Sequence, residues 1–181
     1  KKKLTPSNEI MKSKWVHTVC PLIICTMHSV PQKQDKGLND ANECYRSIKE
    51  AAKKYPNVSF IITSPNPDEG GDLIQTEIDK ITERNNVSKI RSLGNDYYYL
   101  LQQASNRKII LLGNSSSIIK EAPYFNCYHI NIGSRQLGRL SASSQQDVPA
   151  EYNMITEAMA TAIEAVRLQP SITINPYHVK E

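Results

Sequence analysis

The sequence has no long apolar run and no leader-like start. Its longest apolar runs, residues 22–25 and 109–112, have the length of core strands, whereas a membrane-spanning helix needs roughly 18 or more consecutive apolar residues. The lysines at positions 1–3 are not followed by the apolar stretch of a signal peptide. We therefore predict a protein with no membrane partner. Because residue 1 is lysine and not methionine, we expect a processed, trimmed or fragmentary chain.

Motifs for metals, disulfides and common cofactors are missing as well. Cys20, Cys25, Cys44 and Cys127 form neither a CxxC pair nor the dense spacing of a secreted scaffold or a zinc site. We interpret them as reduced, mainly structural thiols of a cytoplasmic protein. The sequence contains neither GxxxxGK[ST] nor GxGxxG, so no bound cofactor is predicted. The net charge of +4 is mild and is concentrated at the N-terminus, which argues against a nucleic-acid partner.

Apolar, β-branched runs alternate along the chain with segments of helical periodicity. This alternation predicts an α/β fold with a doubly wound, Rossmann-like parallel sheet. We expect one domain over residues 21–168, preceded by a basic segment or interdomain linker at 1–20 and followed by a tail or linker at 169–181. The stretch between 133 and 149 is expected to be irregular. The predicted strands are residues 22–26, 58–62, 87–92, 108–112 and 128–132, and the main predicted helices are 38–54, one from about 72, and 150–167.

The loops that follow the strands are the places to look for a ligand site, because open parallel sheets bind ligands beyond the carboxyl ends of their strands. The strongest candidate is the Gly-Asn-Ser-Ser-Ser sequence at 113–117, which lies between a strand and a helix. Small residues with free backbone N–H groups at a helix start can bind an anion such as a diphosphate, through Ser115 and Ser116. Ordinary helix capping by serine explains the same residues.

Several further residues carry candidate chemistry. Glu121 can accept hydrogen bonds from ribose hydroxyls or can be a solvated surface group. Arg135 and Arg139 suit phosphate recognition or lie free on the surface. His28, at the end of the first strand, can polarise or protonate a leaving group, or can be structural. The pair Asp68 and Glu69 precedes a helix start and is interpreted as capping it and interacting with its dipole.

Taken together, these loops resemble the C-terminal half of the hydrolysing UDP-N-acetylglucosamine 2-epimerases. Each segment is weak alone, but their order and spacing match over about residues 21–168. The Gly-Asn-Ser-Ser-Ser and Asn-Ile-Gly-x-Arg-Gln-x-Gly-Arg sequences resemble the hydrolysing branch and not the non-hydrolysing one. The matching segments are residues 26–28, 64–71, 92–97, 113–117, 121–123 and 131–139.

The resemblance implies one half of a two-domain enzyme with a GT-B-like fold. Such an enzyme converts UDP-N-acetylglucosamine and water into N-acetylmannosamine and UDP, at the start of sialic acid synthesis, and assembles as a homo-oligomer. Its catalytic carboxylates come from an N-terminal domain that this chain lacks, so we expect the isolated chain to bind UDP weakly and to be inactive. The implied roles are catalysis by His28 and UDP binding by Asn66, Ser115, Ser116, Glu121 and Arg135.

The sequence departs from the family pattern at three places. Ser29 follows the histidine where the family often has proline, Ile118 stands where glycine is usual near the phosphate, and Cys127 replaces a common proline. A β-branched side chain at Ile118 is expected to narrow a phosphate site. These departures leave open a catalytically degenerate epimerase homologue. The C-terminal domain of a GT-B glycosyltransferase also stays open, because it shares the serine loop and the ribose-binding glutamate.

Overall fold

The computed structural model describes residues 7, 21–103, 108–168 and 176. The predicted linkers at 1–20 and 169–181 therefore lie outside the described residues, apart from residues 7 and 176. The described part contains six strands and five α-helices, with a short 3-10 helix after α4. Their bounds are β1 Leu22–Thr26, α1 Leu38–Lys54, β2 Ser59–Thr63, α2 Gly71–Asp79, β3 Val87–Ile90, α3 Asn95–Gln102, β4 Ile109–Gly113, α4 Ser116–Lys120, the 3-10 helix Ala122–Phe125, β5 Tyr128–Ile132, β6 Gln145–Val148 and α5 Tyr152–Leu168.

The six strands form one parallel sheet in the order β3-β2-β1-β4-β5-β6. The chain builds outward from β1 in one direction, then crosses back to place β4 on the other side of β1. This order is that of the doubly wound nucleotide-binding folds, whose ligands bind where the direction reverses. The prediction of a doubly wound, Rossmann-like sheet is confirmed.

Successive side chains of a central strand point to opposite faces of the sheet, and here both faces receive apolar side chains. Ile23 and Cys25 pack into the cluster beneath α1, α2 and α5, whereas Leu22 and Ile24 pack into the cluster beneath α3 and α4. Strands buried on both faces read as continuous apolar runs, which is why the sequence identifies β1 so clearly. Burial of each such side chain stabilises the fold by roughly 1.5–3 kcal/mol.

The stretch expected to be irregular contains a strand. Residues 145–148 pair in parallel with β5 as the edge strand β6. Their sequence, Gln-Gln-Asp-Val, has only one buried apolar side chain, Val148. An edge strand of this kind is held by backbone pairing and carries almost no hydrophobic pattern, so periodicity does not reveal it.

The cysteines within the described residues are buried free thiols, consistent with a structural role. The sulfur atoms of Cys25 and Cys44 lie 3.6 Å apart beneath α1. Burial raises the pKa of Cys127 to about 12, so this thiol stays protonated and unreactive at neutral pH. Cys20 lies outside the described residues.

Candidate functional site

The site begins where β1 and β4 end side by side at the reversal point of the sheet. Thr26 and Gly113 are register partners at those two ends. Gly113 adopts a φ of +132°, and a Cβ there would overlap the carbonyl oxygen of Thr26. The next amide, that of Asn114, donates to the same carbonyl at 3.2 Å. Only glycine lets the two strand ends approach this closely.

Asn114 joins the loop after β4 to the loop after β1. Its Oδ1 accepts a hydrogen bond from the His28 amide at 2.7 Å, and its Nδ2 donates to the His28 carbonyl at 2.8 Å. The side chain is almost fully buried. Sequence reasoning placed Asn114 inside the serine motif but gave it no role. An asparagine directly after a strand-ending glycine was the available signal.

A third loop, after β5, closes on the same asparagine. Arg135 donates from Nη1 to the Asn114 carbonyl at 3.2 Å and from Nε to the Ser29 carbonyl at 3.1 Å. Gln136 donates from Nε2 to the Asn114 carbonyl at 2.7 Å. Arg135 is therefore not a free surface arginine, and guanidinium N–H groups beyond these two bonds remain as donors.

Arg135 is also the main positive charge near His28. Its Nη2 lies 4.0 Å from Oδ2 of Asp68, at the edge of ion-pair distance. Partial burial lowers the pKa of Arg135, and the charge of Asp68 opposes that shift. A guanidinium stays protonated at neutral pH despite such a shift. The site thus presents a fixed positive charge with one carboxylate beside it.

His28 is buried and its ring is oriented by the backbone. Its Nδ1 accepts a hydrogen bond from the Asn66 amide at 3.0 Å. Burial lowers the pKa of His28 to about 4, with the charge of Arg135 as the second cause and that of Asp68 opposing. The imidazole is therefore neutral at pH 7, and because Nδ1 is an acceptor, the proton sits on Nε2. Without a ligand, His28 offers an N–H donor and not a charged acid.

The serine loop does cap its helix, as the alternative interpretation expected. Ser115 Oγ accepts from the Ser117 amide at 3.4 Å, and the Ser115 carbonyl accepts from the Ile118 amide at 3.2 Å. Ser115 is buried, whereas Ser116 is half-buried, and within the described chain no hydrogen bond involves the Ser116 hydroxyl. Capping by Ser115 thus leaves Ser116 available at the first turn of α4.

The expectation that Ile118 narrows the phosphate site is not supported by its position. Ile118 is 2% exposed and packs in the cluster beneath α4, together with Leu111 and Ile119. Its side chain is part of the hydrophobic core on that face of the sheet. The hydrophobic core therefore accommodates isoleucine at a position where the family usually has glycine.

Among the described residues, Glu121 forms no hydrogen bond or ion pair with His28 or Arg135. It lies at the C-terminal end of α4, half-buried, where its Oε1 accepts a hydrogen bond from the hydroxyl of Tyr98 at 3.0 Å. Neighbouring Tyr97 forms a short hydrogen bond with the Ser117 hydroxyl. Sequence reasoning found Glu121 but missed the two tyrosines that hold its helix.

The capping interpretation of Asp68 and Glu69 is wrong. Gly70, with a φ of +86°, occupies the N-cap position of α2, and no side chain caps that helix. Glu69 instead pairs with Lys36 at 3.0 Å, and Asp68 faces Arg135. The two carboxylates therefore join loops near the site.

An open cleft lies beside the Asn66 loop. It has a volume of about 630 Å³, and its lining includes Asn66, Gln75, Arg91 and Ser92. Among residues 21–103 and 108–168, no group of three or more His, Cys, Asp or Glu side chains is placed to hold a metal ion. No helix within those ranges has the length and apolar character needed to cross a membrane.

Comparison with known proteins gives a consistent family. The family model described as UDP-N-acetylglucosamine 2-epimerase matches residues 1–180. The chain is 35% identical over 118 residues to a GDP/UDP-N,N'-diacetylbacillosamine 2-epimerase (hydrolyzing) of Campylobacter jejuni, a match covering 62% of this chain and 29% of that protein. It is 34% identical over 100 residues to the polysialic acid biosynthesis protein P7 of Escherichia coli, covering 55% of this chain and 25% of that protein.

Solved structures share the fold. A structure of S. aureus MnaA with UDP superposes with a TM-score of 0.69 at 16% identity, covering 99% of this chain and 45% of that chain. At this identity the likeness shows the fold alone. The chain spans less than half the length of that structure.

Proposed function

Since this chain belongs to the UDP-N-acetylglucosamine 2-epimerase family, we propose that it forms the UDP-binding half of a hydrolysing member. The overall reaction converts UDP-N-acetylglucosamine and water into N-acetylmannosamine and UDP. The observation that carries the proposal is the junction at Asn114. It ties the loops of His28, Ser115 and Arg135 together at the reversal point of the sheet.

Donors at this junction suit a diphosphate. The Ser116 amide and hydroxyl begin the first turn of α4, where unpaired N–H groups and the helix dipole attract an anion. Arg135 supplies a fixed positive charge, and His28 supplies an Nε2–H. Asn66, which lines the neighbouring cleft, is proposed to lie beside the nucleotide. Glu121 takes the ribose hydroxyls through its carboxylate.

The proposed chemistry proceeds by elimination and then hydration. A base removes the proton at C2 of the sugar while the bond from C1 to the diphosphate oxygen breaks, and UDP leaves with the bonding electrons. Water then adds across the double bond of the resulting glycal, and the new C2–H bond has the opposite configuration. His28 stabilises the charge that develops on the departing diphosphate by donating its Nε2–H.

Acid–base work at C1 and C2 needs positioned carboxylates. We propose that an N-terminal domain provides these carboxylates. The structure of S. aureus MnaA is more than twice as long as this chain, which covers only 45% of it. The complete enzyme is then a cytoplasmic homo-oligomer that closes its two domains over the sugar nucleotide. The isolated chain binds UDP weakly and does not turn over.

One observation favours a second substrate. The Campylobacter relative is named for GDP- or UDP-linked N,N'-diacetylbacillosamine, whose hydrolysis releases a free amino sugar in the same way. The relative named for polysialic acid biosynthesis supports the N-acetylglucosamine substrate and a role in sialic acid synthesis. Both substrates carry the same UDP group, so the half described here serves either one.

Product analysis separates these alternatives. The native protein that carries this sequence would be purified from its source and incubated in D2O with each sugar nucleotide, and products would be followed by proton and phosphorus NMR. We expect UDP and a free amino sugar that is deuterated and inverted at C2. Retention of the sugar–diphosphate bond would exclude the hydrolysing reaction. Transfer only to an added acceptor would identify a glycosyltransferase, and UDP binding without any reaction would identify a degenerate homologue.

A further inference from the structure

Two consecutive tyrosines of α3 contact both ends of α4. The Tyr97 hydroxyl bonds to Ser117 Oγ in the first turn, and the Tyr98 hydroxyl donates to Glu121 Oε1 at 3.0 Å at the C-terminal end. Ser117 and Glu121 are one turn apart, with the Glu121 amide donating to the Ser117 carbonyl at 2.9 Å. The pair of tyrosines therefore spans the whole of this short helix.

The two tyrosine rings also order each other. Their centroids lie 5.5 Å apart at an interplanar angle of 73°, the edge-to-face arrangement that aromatic pairs favour. Burial and the hydrogen bond to Glu121 raise the pKa of the Tyr98 hydroxyl, so it remains a donor at neutral pH. Tyr97 thereby fixes the ring that reaches Glu121.

A glutamate on the surface of a short helix has several side-chain rotamers, and ordering one of them costs conformational entropy. The bond from Tyr98 selects one rotamer of Glu121 before any ligand arrives. It occupies Oε1 and leaves Oε2 to accept from a ligand hydroxyl. Such preorganisation strengthens binding by removing an ordering cost.

We propose that Tyr98 is a positioning residue for the ribose end of the UDP site, holding the Glu121 carboxylate so that Oε2 meets the ribose hydroxyls. Tyr97 links the same helix to the serine loop, so the ribose and diphosphate ends are set by one element. This inference rests on the proposed function. It adds a residue that acts through Glu121 and does not touch the nucleotide.

The test compares a ligand that has the ribose hydroxyls with one that lacks them. UDP and 2',3'-dideoxy-UDP would be titrated calorimetrically into the parent chain and into Tyr98→Phe, Glu121→Gln and Tyr99→Phe. Tyr99 is the matched control, because it is half-buried on the same helix and its hydroxyl makes no hydrogen bond within the described residues. We expect Tyr98→Phe to weaken UDP binding about threefold to tenfold and to leave dideoxy-UDP binding unchanged, with Tyr99→Phe altering neither.

A merely structural role for Tyr98 would weaken both ligands equally, which overturns the inference. UDP binding that falls with Glu121→Gln but not with Tyr98→Phe overturns it as well and leaves the proposed function intact. A combined Tyr98→Phe, Glu121→Gln variant should lose no more than Glu121→Gln alone, because the tyrosine acts through the glutamate. Absence of UDP binding by the parent chain would sink the proposed function and this inference together.

Discussion

Asn114 holds the backbone of His28 by both ends of its side-chain amide, at 2.7 Å from Oδ1 to the His28 nitrogen and 2.8 Å from Nδ2 to the His28 oxygen. The two residues are 86 positions apart. Their junction fixes the histidine loop relative to the serine loop. Hydrogen bonds within the buried part of the fold therefore set the relative placement of these two loops.

Replacing this amide should destabilise the fold. In Asn114→Ala the buried N–H and C=O of His28 lose their partners, which costs about 3 kcal/mol of the free energy of unfolding. Urea denaturation measures the loss. The matched control is Asn153→Ala on the exposed surface of α5, where we expect a change of about 0.5 kcal/mol or less. Equal effects of the two substitutions would contradict the role given to Asn114.

Burial of a neutral His28 makes stability depend on pH. The pKa of His28 is about 4 in the folded chain against 6.5 as its ordinary value. Between these pH values the unfolded chain binds a proton that the folded chain does not, so the free energy of unfolding falls as the pH falls. The stability that comes from keeping His28 neutral is fully present above pH 6.5. By pH 4 the free energy of unfolding has fallen by roughly 3 kcal/mol on this account.

Urea titrations at several pH values between 4 and 7 measure this dependence for the parent chain and for His28→Asn. His129 is also buried with a lowered pKa and contributes in the same direction in both proteins. We expect the variant to show a shallower decline, by the share that His28 supplies. Identical slopes would mean that His28 titrates normally in the folded chain.

Gly113 is predicted to tolerate no side chain. Its φ of +132° and the overlap of an added Cβ with the Thr26 carbonyl should make Gly113→Ala cost about 3 kcal/mol. Gly138 also has a positive φ, +85°, but open space surrounds its Cβ position, so Gly138→Ala should cost only about 1 kcal/mol. Thermal denaturation of both variants separates strand-end crowding from backbone strain. Equal losses of stability in the two variants would mean that the positive φ causes the whole effect and that the Thr26 carbonyl adds nothing.

Much of the fold was predictable because its core strands are buried on both faces. Residues 22–26 and 38–54 were predicted with the bounds the structure shows, since a continuous apolar run and a 3.6-residue period leave little ambiguity. The edge strand β6 was missed because its side chains are mostly polar. Edge pairing depends on backbone hydrogen bonds, which carry no sequence pattern.

The loops of the candidate site were predictable, but their connections were not. Sequence position places His28, Ser115 and Arg135 after parallel strands, and the fold rule then brings those strand ends together. The bonds of Asn114 to His28 and of Tyr98 to Glu121 depend on register and side-chain direction between distant segments. The pKa of His28 likewise depends on burial that only the folded chain provides.

The most direct test of the account is a calorimetric titration of UDP into this chain and into a Ser115→Ala, Arg135→Ala double variant. A Ser141→Ala, Arg167→Ala variant is the matched control, because it removes the same two kinds of side chain at exposed positions outside the junction. We predict weak, saturable heat with the parent and the control and none with the first variant, provided that its thermal unfolding shows a folded chain. No heat with the parent, or equal heat with all three proteins, would contradict a UDP site at the junction of His28, Ser115 and Arg135.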